Sequence, residues 1–302
     1  MDNLPLVTIG AINYNNAQYV IQTLESIKAQ TYPNLELVIV DDCSTDNSVE
    51  LINHWLQEYS RPYKFIRHEK NAGVCAASNS ALKNANGKYF NLIATDDVMM
   101  PDKIKVQVEI LDRSAPDVCG VYSDAYLIKE DGSPRYGLFI QRIKDFETLP
   151  SGDIYEILFR GNFMPAMSLL IKMDCYREVG FFDEALKSED YDMWLRLAKK
   201  YKFLVSDYIS VKYRIRQGSL MSVINKWNPT LIRIFSKHLN HHPSALTAIE
   251  ELALNSYCTR DKESLQIIES LADKSSRLKA ISYLWKYKVP VPIGVRIFFK
   301  LK

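Results

Sequence analysis

Two pairs of adjacent aspartates follow apolar runs that predict buried strands. Asp41 and Asp42 follow residues 35–40, and Asp96 and Asp97 follow residues 88–94. Carboxylates that converge on one rim repel each other unless a cation or hydrogen-bond donors compensate their charge. Hard divalent cations prefer oxygen ligands, so Mg²⁺ or Mn²⁺ bound together with substrate phosphates would fit these residues. A simpler alternative, in which the aspartates only cap helices, stays open from the residues alone.

The segments that must position these carboxylates alternate between strand and helix patterns. Residues 6–12, 35–40, 63–67, 88–94 and 118–123 predict strands, separated by helices over 16–30, 47–58, 74–84 and from Pro101 onward. This alternation indicates a mostly parallel sheet with helices on both faces. Ligands of such sheets bind outside the carboxyl ends of the strands. The predicted α/β fold therefore places both acidic pairs at the binding edge.

Composition excludes several protein classes. The 302 residues are 47% hydrophobic and 25% charged, which is ordinary for a globular protein of two domains, or of one domain with an appendage. The five cysteines are widely spaced without a CxxC pair, so neither a disulfide framework nor a zinc knuckle is indicated. We find no signal-peptide pattern and no run of 18 apolar residues. These features predict a cytoplasmic protein.

Familiar nucleotide-binding motifs do not occur. No GxGxxG follows the first predicted strand, and there is no Walker A sequence. Cys43 stands where a haloacid dehalogenase phosphatase would need a second aspartate. A signalling receiver domain would leave the second acidic pair unexplained.

Six motifs, taken in order, resemble family 2 inverting glycosyltransferases. They are VTI at 7–9 with NYN at 13–15, LESIKAQT at 24–31, VIVDDCSTD at 38–46, NAG at 71–73 with Asn79, ATDD at 94–97 with Pro101, and GFFDE at 180–184 with EDYDMWLRL at 189–197. Each motif alone is weak, but their order and spacing match the family over about residues 5–220. The resemblance implies the A-type glycosyltransferase fold, GT-A, and a nucleoside-diphosphate sugar as donor.

Carried over by position, the resemblance also implies a donor site. Asp42 and Tyr14 would hold the nucleobase, Asp96 the ribose or sugar, and Asp97 an Mn²⁺ or Mg²⁺ ion that bridges the diphosphate. The implied nucleotide-sugar residues are Tyr14, Asn15, Asp42, Asn71, Gly73, Asp96 and Arg216.

The same resemblance implies the catalytic and acceptor residues. Asp190 would be the general base, with Glu189 beside it, and Trp194 would form part of the acceptor platform. Trp194 has an alternative role in core packing, which the sequence leaves open. A single carboxylate base without a nucleophilic partner suits direct displacement, which inverts the anomeric configuration.

Three positions depart from the family pattern. Ser78 replaces a frequent arginine, Ala94 replaces the first aspartate of the acidic motif, and Arg216 replaces a histidine. Arg216 would bind the diphosphate directly and weaken the dependence on metal, because guanidinium binds phosphate bidentately. Its alternative is a plain surface arginine.

The predicted function is an inverting transferase that moves a sugar, with UDP-sugar as the expected donor, to a glycan hydroxyl. Its setting, inferred from the family alone, is bacterial-type polysaccharide or lipid-linked oligosaccharide synthesis. A catalytically silent nucleotide- or glycan-binding protein that keeps the fold is the alternative. A nucleotidyltransferase, which would release pyrophosphate, is a third.

The C-terminal part differs from the body in structure and charge. We predict a catalytic domain over 1–223 and a helical region over 224–302, with helices at 231–239, 245–258, 264–272 and 278–287. After Asp273 the chain has eight basic and no acidic residues, against 30 basic and 36 acidic before. Aromatic residues among these bases suggest a peripheral contact of residues 274–302 with an anionic membrane, on its inner face. A docked terminal helix is the alternative, and the acidic body disfavours nucleic acid.

Overall fold

The chain folds as two compact units, residues 1–216 and 217–302. Our computed structural model describes residues 4–186, 190–216 and 228–301. The predicted boundary between residues 223 and 224 lies outside the described residues. The assignment of donor binding to the first part of the chain stays a prediction.

The first unit alternates strands and helices. In chain order it contains β1 (Val7–Asn13), α1 (Val20–Lys28), β2 (Leu35–Asp41), α2 (Ser48–Leu56), β3 (Tyr63–Arg67), α3 (Val74–Lys83), β4 (Tyr89–Ala94), β5 (Val98–Met99), α4 (Lys103–Asp112), β6 (Val118–Tyr122), β7 (Ala125–Ile128), β8 (Pro134–Leu138), α5 (Phe139–Ile143), α6 (Tyr155–Leu158), β9 (Leu170–Lys172), α7 (Met173–Val179), α8 (Asp190–Ala198), β10 (Lys202–Val205) and β11 (Val211–Arg214).

A seven-stranded sheet forms the centre of this unit. Its order is β10-β6-β9-β4-β1-β2-β3, with β4, β1, β2 and β3 parallel and β9 antiparallel to its neighbours. β1 and β2 are buried at all seven positions, as expected for strands covered on both faces. Gly10 of β1 lies against the ring of Phe90, because a Cβ there would come within 2.6 Å of it. This close approach brings α3 onto the sheet at Ala81.

The predicted elements of this unit shift only at their ends. The first helix begins at Val20 rather than residue 16. The residues before it form a turn, in which the Asn16 carbonyl accepts hydrogen bonds from the Tyr19 and Val20 amides. α4 begins at Lys103, so Pro101 precedes the helix instead of opening it. A proline still suits this place, since the missing N–H has no helical partner there.

A second sheet was not predicted. It has the order β5-β11-β7-β8, and β11 pairs antiparallel with β5 and parallel with β7. Its strands are two to five residues long and come from distant parts of the chain, so no local alternation reveals them. This sheet brings Arg214, at the end of β11, to the residues that follow β4.

The second unit is helical over its described residues. Its helices are α9 (Asn228–Ser236), α10 (Pro243–Thr259), α11 (Lys262–Ser270), α12 (Ser276–Lys286) and α13 (Val291–Lys300). The side chains of His242, Asp261 and Ser275 cap α10, α11 and α12, which explains why these helices begin where they do. The four predicted helices are present with shifted ends, and α13 was not predicted. No helix among the described residues is long and apolar enough to cross a bilayer.

Candidate functional site

The carboxyl ends of three neighbouring strands form the floor of the candidate site. β1 pairs with β2 so that Asn13 lies opposite Asp41, and with β4 so that Ile12 lies opposite Ala94. The amides of Asp42 and Thr95 then continue these ladders by donating to the Asn13 and Ile12 carbonyls. The two acidic pairs therefore follow strands that are two strand spacings, about 10 Å, apart.

A chain of buried polar side chains joins these strand ends. Asn13 Nδ2 donates to Asp41 Oδ2 over 2.7 Å, and Thr95 Oγ1 donates to Asn13 Oδ1 over 2.6 Å. Asn16 Nδ2 in turn donates to Thr95 Oγ1 over 3.1 Å. Asp41 also accepts from the Ser44 amide and hydroxyl. Because Asn13, Asn16, Asp41 and Thr95 are all buried and bonded, the network fixes the loops that follow β1, β2 and β4.

Asp42 holds the loop that precedes α3. Its Oδ1 accepts from the Ala72 amide at 2.9 Å and contacts His68 Nδ1 at 2.7 Å, and its Oδ2 accepts from the Gly73 amide at 2.8 Å. The other His68 nitrogen, Nε2, lies 2.9 Å from the hydroxyl of Ser80. A carboxylate offers about four acceptor positions, so these contacts leave about one for a ligand. Binding of a nucleobase by Asp42 stays a prediction.

The loop after β1 exposes the predicted nucleobase residue Tyr14. Tyr14 is 46% exposed, and its neighbour Asn15 adopts a left-handed backbone with φ 51°. Asn15 Oδ1 accepts from the Thr45 amide over 2.8 Å, which pins this loop to the one after β2. Asn71 is also exposed, next to Gly73 at the start of α3. The structure thus leaves Tyr14 and Asn71 available to solvent without testing what they bind.

In the second acidic pair Asp97 is buried and Asp96 is partly buried, and their negative charges repel each other. Asp97 is 3% exposed, and its Oδ1 accepts from the Arg214 amide over 2.9 Å. Burial raises the pKa of Asp97 well above its usual range, and the negative charge of Asp96 raises it further. Burial also raises the pKa of Asp96, whereas the guanidinium of Arg216 lowers it. A cation beside these two carboxylates would stabilise their ionised forms.

Two arginines partly provide this positive charge. Arg216 Nη2 lies 2.9 Å from Asp96 Oδ2, and its Nη1 donates to Asn16 Oδ1 over 2.8 Å. The guanidinium groups of Arg216 and Arg214 lie 5.4 and 4.7 Å from the ring centroid of Tyr19. Arg216 therefore connects the polar network of the strand ends to Asp96 and is not a plain surface arginine.

Arg214 has a separate, structural role that sequence reasoning missed. Its side chain donates to the carbonyls of Asp96, Lys129 and Glu130 and to Gln22 Oε1. It is 2% exposed and so binds β11 to the loop after β4. Only the second sheet shows what this arginine contacts.

The acidic pair fits a cation that is bound jointly with phosphate. Within residues 4–186, 190–216 and 228–301, no group of three or more His, Cys, Asp or Glu side chains could hold a metal. Mg²⁺ and Mn²⁺ in nucleotide sites use only one or two carboxylates and take their other ligands from phosphate and water. The two buried carboxylates, with their raised pKa values, match that smaller donor set.

Asp190 begins α8, and its carboxylate is held in place. Its Oδ2 accepts from Asn162 Nδ2 over 2.9 Å, and its Oδ1 accepts from the Tyr191 amide over 2.6 Å. Asn162 was missed by sequence reasoning, because it lies 28 residues away in a loop without a recognisable pattern. Glu189, the predicted neighbour of the base, lies outside the described residues.

One phenol links Asp190 electrostatically to the acidic pair. Burial raises the pKa of Tyr213, and the negative charges of Asp97, Asp96 and Asp190 raise it further, whereas Arg216 lowers it. The strand-end acids and the carboxylate of α8 thus all act electrostatically on one hydroxyl.

Trp194 is packed into the interior. It is 1% exposed, and its Nε1 has no hydrogen-bond partner among the described residues. A sugar cannot stack on a ring that is almost entirely covered. The structure thus favours the packing alternative for Trp194 over the predicted acceptor platform.

The sequence comparisons identify the family. Residues 8–168 match the family described as Glycosyl transferase family 2. A glycosyltransferase of Rickettsia felis, named as uncharacterized, is 35% identical over 221 residues, which is 71% of this chain. The chain belongs to glycosyltransferase family 2. It spans about a third of the length of that relative, since the match covers 35% of it.

A second relative is of similar size to this chain. The putative teichuronic acid biosynthesis glycosyltransferase TuaG of Bacillus subtilis is 27% identical over 225 residues, covering 74% of this chain and 83% of TuaG. The predicted family is thus confirmed, and its relatives include a protein named for polysaccharide biosynthesis.

Solved structures confirm the GT-A fold. Residues 1–349 of S. aureus TarS, in complex with UDP-GlcNAc, give a TM-score of 0.68 at 17% identity, covering 94% of this chain and 88% of that one. The mannosyltransferase PcManGT from Pyrobaculum calidifontis, in complex with GDP-Man and Mn²⁺, gives 0.61 at 16% identity, covering 99% and 88%. At such identities the likeness shows the fold alone. The predicted mostly parallel sheet with helices on both faces and a C-terminal helical region is confirmed.

Proposed function

We propose that this family 2 glycosyltransferase moves a sugar from a nucleoside-diphosphate sugar to a glycan hydroxyl with inversion of the anomeric carbon. The observation that carries the proposal is the cluster at the carboxyl end of β4, where Asp97 accepts from the Arg214 amide over 2.9 Å and Arg216 Nη2 lies 2.9 Å from Asp96 Oδ2. The charges of both acids and of Asp190, the candidate base from a distant segment, also raise the pKa of Tyr213. Direct displacement needs donor-binding groups and a base together.

The nucleotide end of the donor is proposed to lie over the ends of β1 and β2. Tyr14 offers an exposed ring for stacking on a nucleobase, and Asp42 offers its remaining acceptor position to a base N–H. Asn15, Asn71 and Gly73 shape the loops around them. We propose a UDP-sugar because the TarS structure contains UDP-GlcNAc, although PcManGT contains GDP-Man.

The diphosphate is proposed to lie beside the second acidic pair. Asp97 would hold Mn²⁺ or Mg²⁺, and that ion would supply positive charge to stabilise the leaving diphosphate. Arg216 contributes a guanidinium next to the same carboxylates and can donate two parallel hydrogen bonds to phosphate oxygens. Asp96, beside Arg216, would bind the ribose or sugar hydroxyls.

Asp190 is the proposed general base. Asn162 and the Tyr191 amide orient its two oxygens, so the carboxylate can accept the proton of an acceptor hydroxyl without first reorganising. General-base catalysis of this kind supplies about 10²–10⁴-fold in rate. Because no second carboxylate acts as nucleophile, attack from the face opposite the diphosphate inverts the configuration.

The proposed acceptor is a glycan chain of a surface polysaccharide or a lipid-linked oligosaccharide. The name of TuaG, which refers to teichuronic acid biosynthesis, supports this class of acceptor.

The test of the base is Asp190→Asn. We expect sugar transfer to fall by about 10²–10⁴-fold, because the amide cannot accept the proton, while donor affinity stays within about twofold. Transfer is measured as release of nucleoside diphosphate with acceptor present, and donor affinity by calorimetry. Asp174→Asn, at a carboxylate that is 91% exposed, is the matched control and should keep full activity. Retention of more than a tenth of the wild-type rate in Asp190→Asn would contradict the role of Asp190 as general base.

A catalytically silent binding protein is the second candidate. The Asp96–Arg216 ion pair favours it, because it engages a donor-site carboxylate within the chain, and Ala94 removes a further acid. A panel of nucleotide sugars with Mn²⁺ separates the candidates. Binding without release of nucleoside diphosphate supports the silent protein. Release of pyrophosphate from a nucleoside triphosphate incubated with a sugar phosphate would instead indicate a nucleotidyltransferase.

A further inference from the structure

Exposed large hydrophobic side chains concentrate near the C-terminal end of the described chain. Eleven such side chains occur among the described residues, and five of them fall within residues 283–299. They are Tyr283 (60% exposed), Tyr287 (59%), Ile293 (52%), Ile297 (38%) and Phe299 (70%). Single exposed apolar residues are ordinary on protein surfaces, but such a cluster marks an interaction site.

Packing within the second unit fixes which face of α13 is exposed. A Cβ on Gly294 would come within 2.4 Å of the Tyr257 ring, so the helix lies directly against α10 there. One turn later, Phe298 is 5% exposed and lies under the guanidinium of Arg277 at 5.3 Å. With Gly294 and Phe298 turned inward, Ile293 and Ile297 lie one above the other on the outside.

Basic residues lie among these exposed apolar groups. On α13, Arg296 and Lys300 are exposed one turn apart, beside Ile293 and Ile297. On and after α12, Lys279, Lys286 and Lys288 are exposed, and none of these five bases has an acidic partner among the described residues. No acidic residue occurs after Asp273 to balance them.

We propose that this C-terminal face, formed by Tyr283, Tyr287, Ile293, Ile297 and Phe299 with the five bases, lies flat on an anionic lipid leaflet. A helix with apolar and basic groups on one exposed face binds in the interfacial plane of a bilayer, with its bases on the lipid phosphates. Tyrosine suits the same depth, because its ring is apolar and its hydroxyl reaches water.

The observations favour a bilayer over other occupants. A second copy of the chain would bring two sets of five uncompensated cations together, which costs electrostatic energy. The cores of protein interfaces are also depleted of lysine. Nucleic acid would match the bases, but it would leave the isoleucines and Phe299 without an apolar environment.

The experiment measures sedimentation of the whole chain with vesicles. We expect binding to vesicles of phosphatidylcholine containing about a third phosphatidylglycerol and little binding to phosphatidylcholine alone, with a loss at high salt. Arg296→Gln with Lys300→Gln should weaken partitioning by about 25-fold, since each base near such a surface contributes about fivefold. Ile293→Ser with Ile297→Ser should weaken partitioning to the vesicles by a comparable factor and leave the salt dependence of partitioning unchanged.

The controls separate this role from folding and self-association. Ile143→Ser removes an isoleucine of the first unit that is as exposed as Ile297, at 38%, and this variant should not alter vesicle binding. Thermal unfolding of each variant confirms that its fold is retained. Binding that is equal for both lipids, or that survives both double variants, overturns the proposal. A wild-type dimer that the isoleucine variants convert to monomer, without vesicle binding, would assign the face to a second copy.

Discussion

Arg216 shows, at the residue scale, how a substitution at a single position changes the electrostatics of a site. It stands where many family members carry a histidine, and it lies between the Asp96 carboxylate and the Asn16 amide oxygen. A guanidinium keeps its charge at all physiological pH values, whereas histidine does not. The acidic pair therefore has a permanent cation beside it before any ligand binds.

The prediction at this scale concerns Arg216→Gln. We expect affinity for a nucleoside diphosphate to fall by about 10–100-fold, because a charge-assisted hydrogen bond contributes about 1.5–3 kcal/mol. Arg216→Lys should recover part of the loss, since it restores the charge without the bidentate geometry. Calorimetric titration with UDP, with and without Mn²⁺, measures both effects.

The matched control is Lys28→Gln, which removes one exposed positive charge from the last turn of α1. It should bind UDP like the wild type. If Arg216→Gln also binds like the wild type, the guanidinium does not contact the diphosphate. Tighter binding in Arg216→Gln would mean that the ion pair with Asp96 blocks the donor.

At the scale of elements, α4 is anchored through a buried lysine. Lys103, in the first turn of α4, is fully buried, and its Nζ donates to Gln107 Oε1 over 2.6 Å and to the Ser168 carbonyl over 3.1 Å. Gln107 also donates to that carbonyl, over 2.6 Å. Burial holds the pKa of Lys103 well below its usual value of 10.5. The amine thus ties the helix to the turn before β9 without an acidic partner among the described residues.

Lys103→Met is therefore expected to change how stability depends on pH. In the wild type the Lys103 amine takes up a proton at a higher pH in the unfolded chain than in the folded chain. The free energy of unfolding therefore falls as the pH drops below about 10.5. The fall is up to about 1.4 kcal/mol per pH unit, and it stops once the folded amine is also protonated. The variant should lack this component, which urea unfolding between neutral and alkaline pH would reveal. Parallel curves for the two proteins would show that Lys103 titrates normally in the fold.

At the scale of the whole molecule, the chain consists of two units with different chemistry. The first holds the strand-end acids and belongs to a family of sugar transferases, and the second is helical and rich in bases toward its end. Because donor binding is proposed for the first unit only, ligand and lipid should act on different parts of the molecule.

This division predicts a selective effect of nucleotides on thermal unfolding. UDP with Mn²⁺ at about 100 times its Kd should stabilise the folded first unit by about 2.7 kcal/mol through mass action. Differential scanning calorimetry with UDP, GDP and ADP in turn measures this stabilisation and ranks the three nucleobases. A larger shift with GDP would replace UDP in the proposed donor, and no shift with any of them would contradict a nucleotide site.

The sequence alone determined the family, the parallel sheet and the position of both acidic pairs at its edge. These features are local, because apolar runs predict strands and a parallel sheet collects the carboxyl ends of its strands at one edge. Only the tertiary structure decided that Arg214 and Arg216 meet Asp97 and Asp96, that Asn162 orients Asp190, and that Trp194 is interior. Those contacts join residues that are tens of positions apart or more. The contacts of Arg214 also depend on a second sheet whose short strands leave no periodic signal. The exposed face of α13 likewise depends on Tyr257, which admits only a glycine beside its ring.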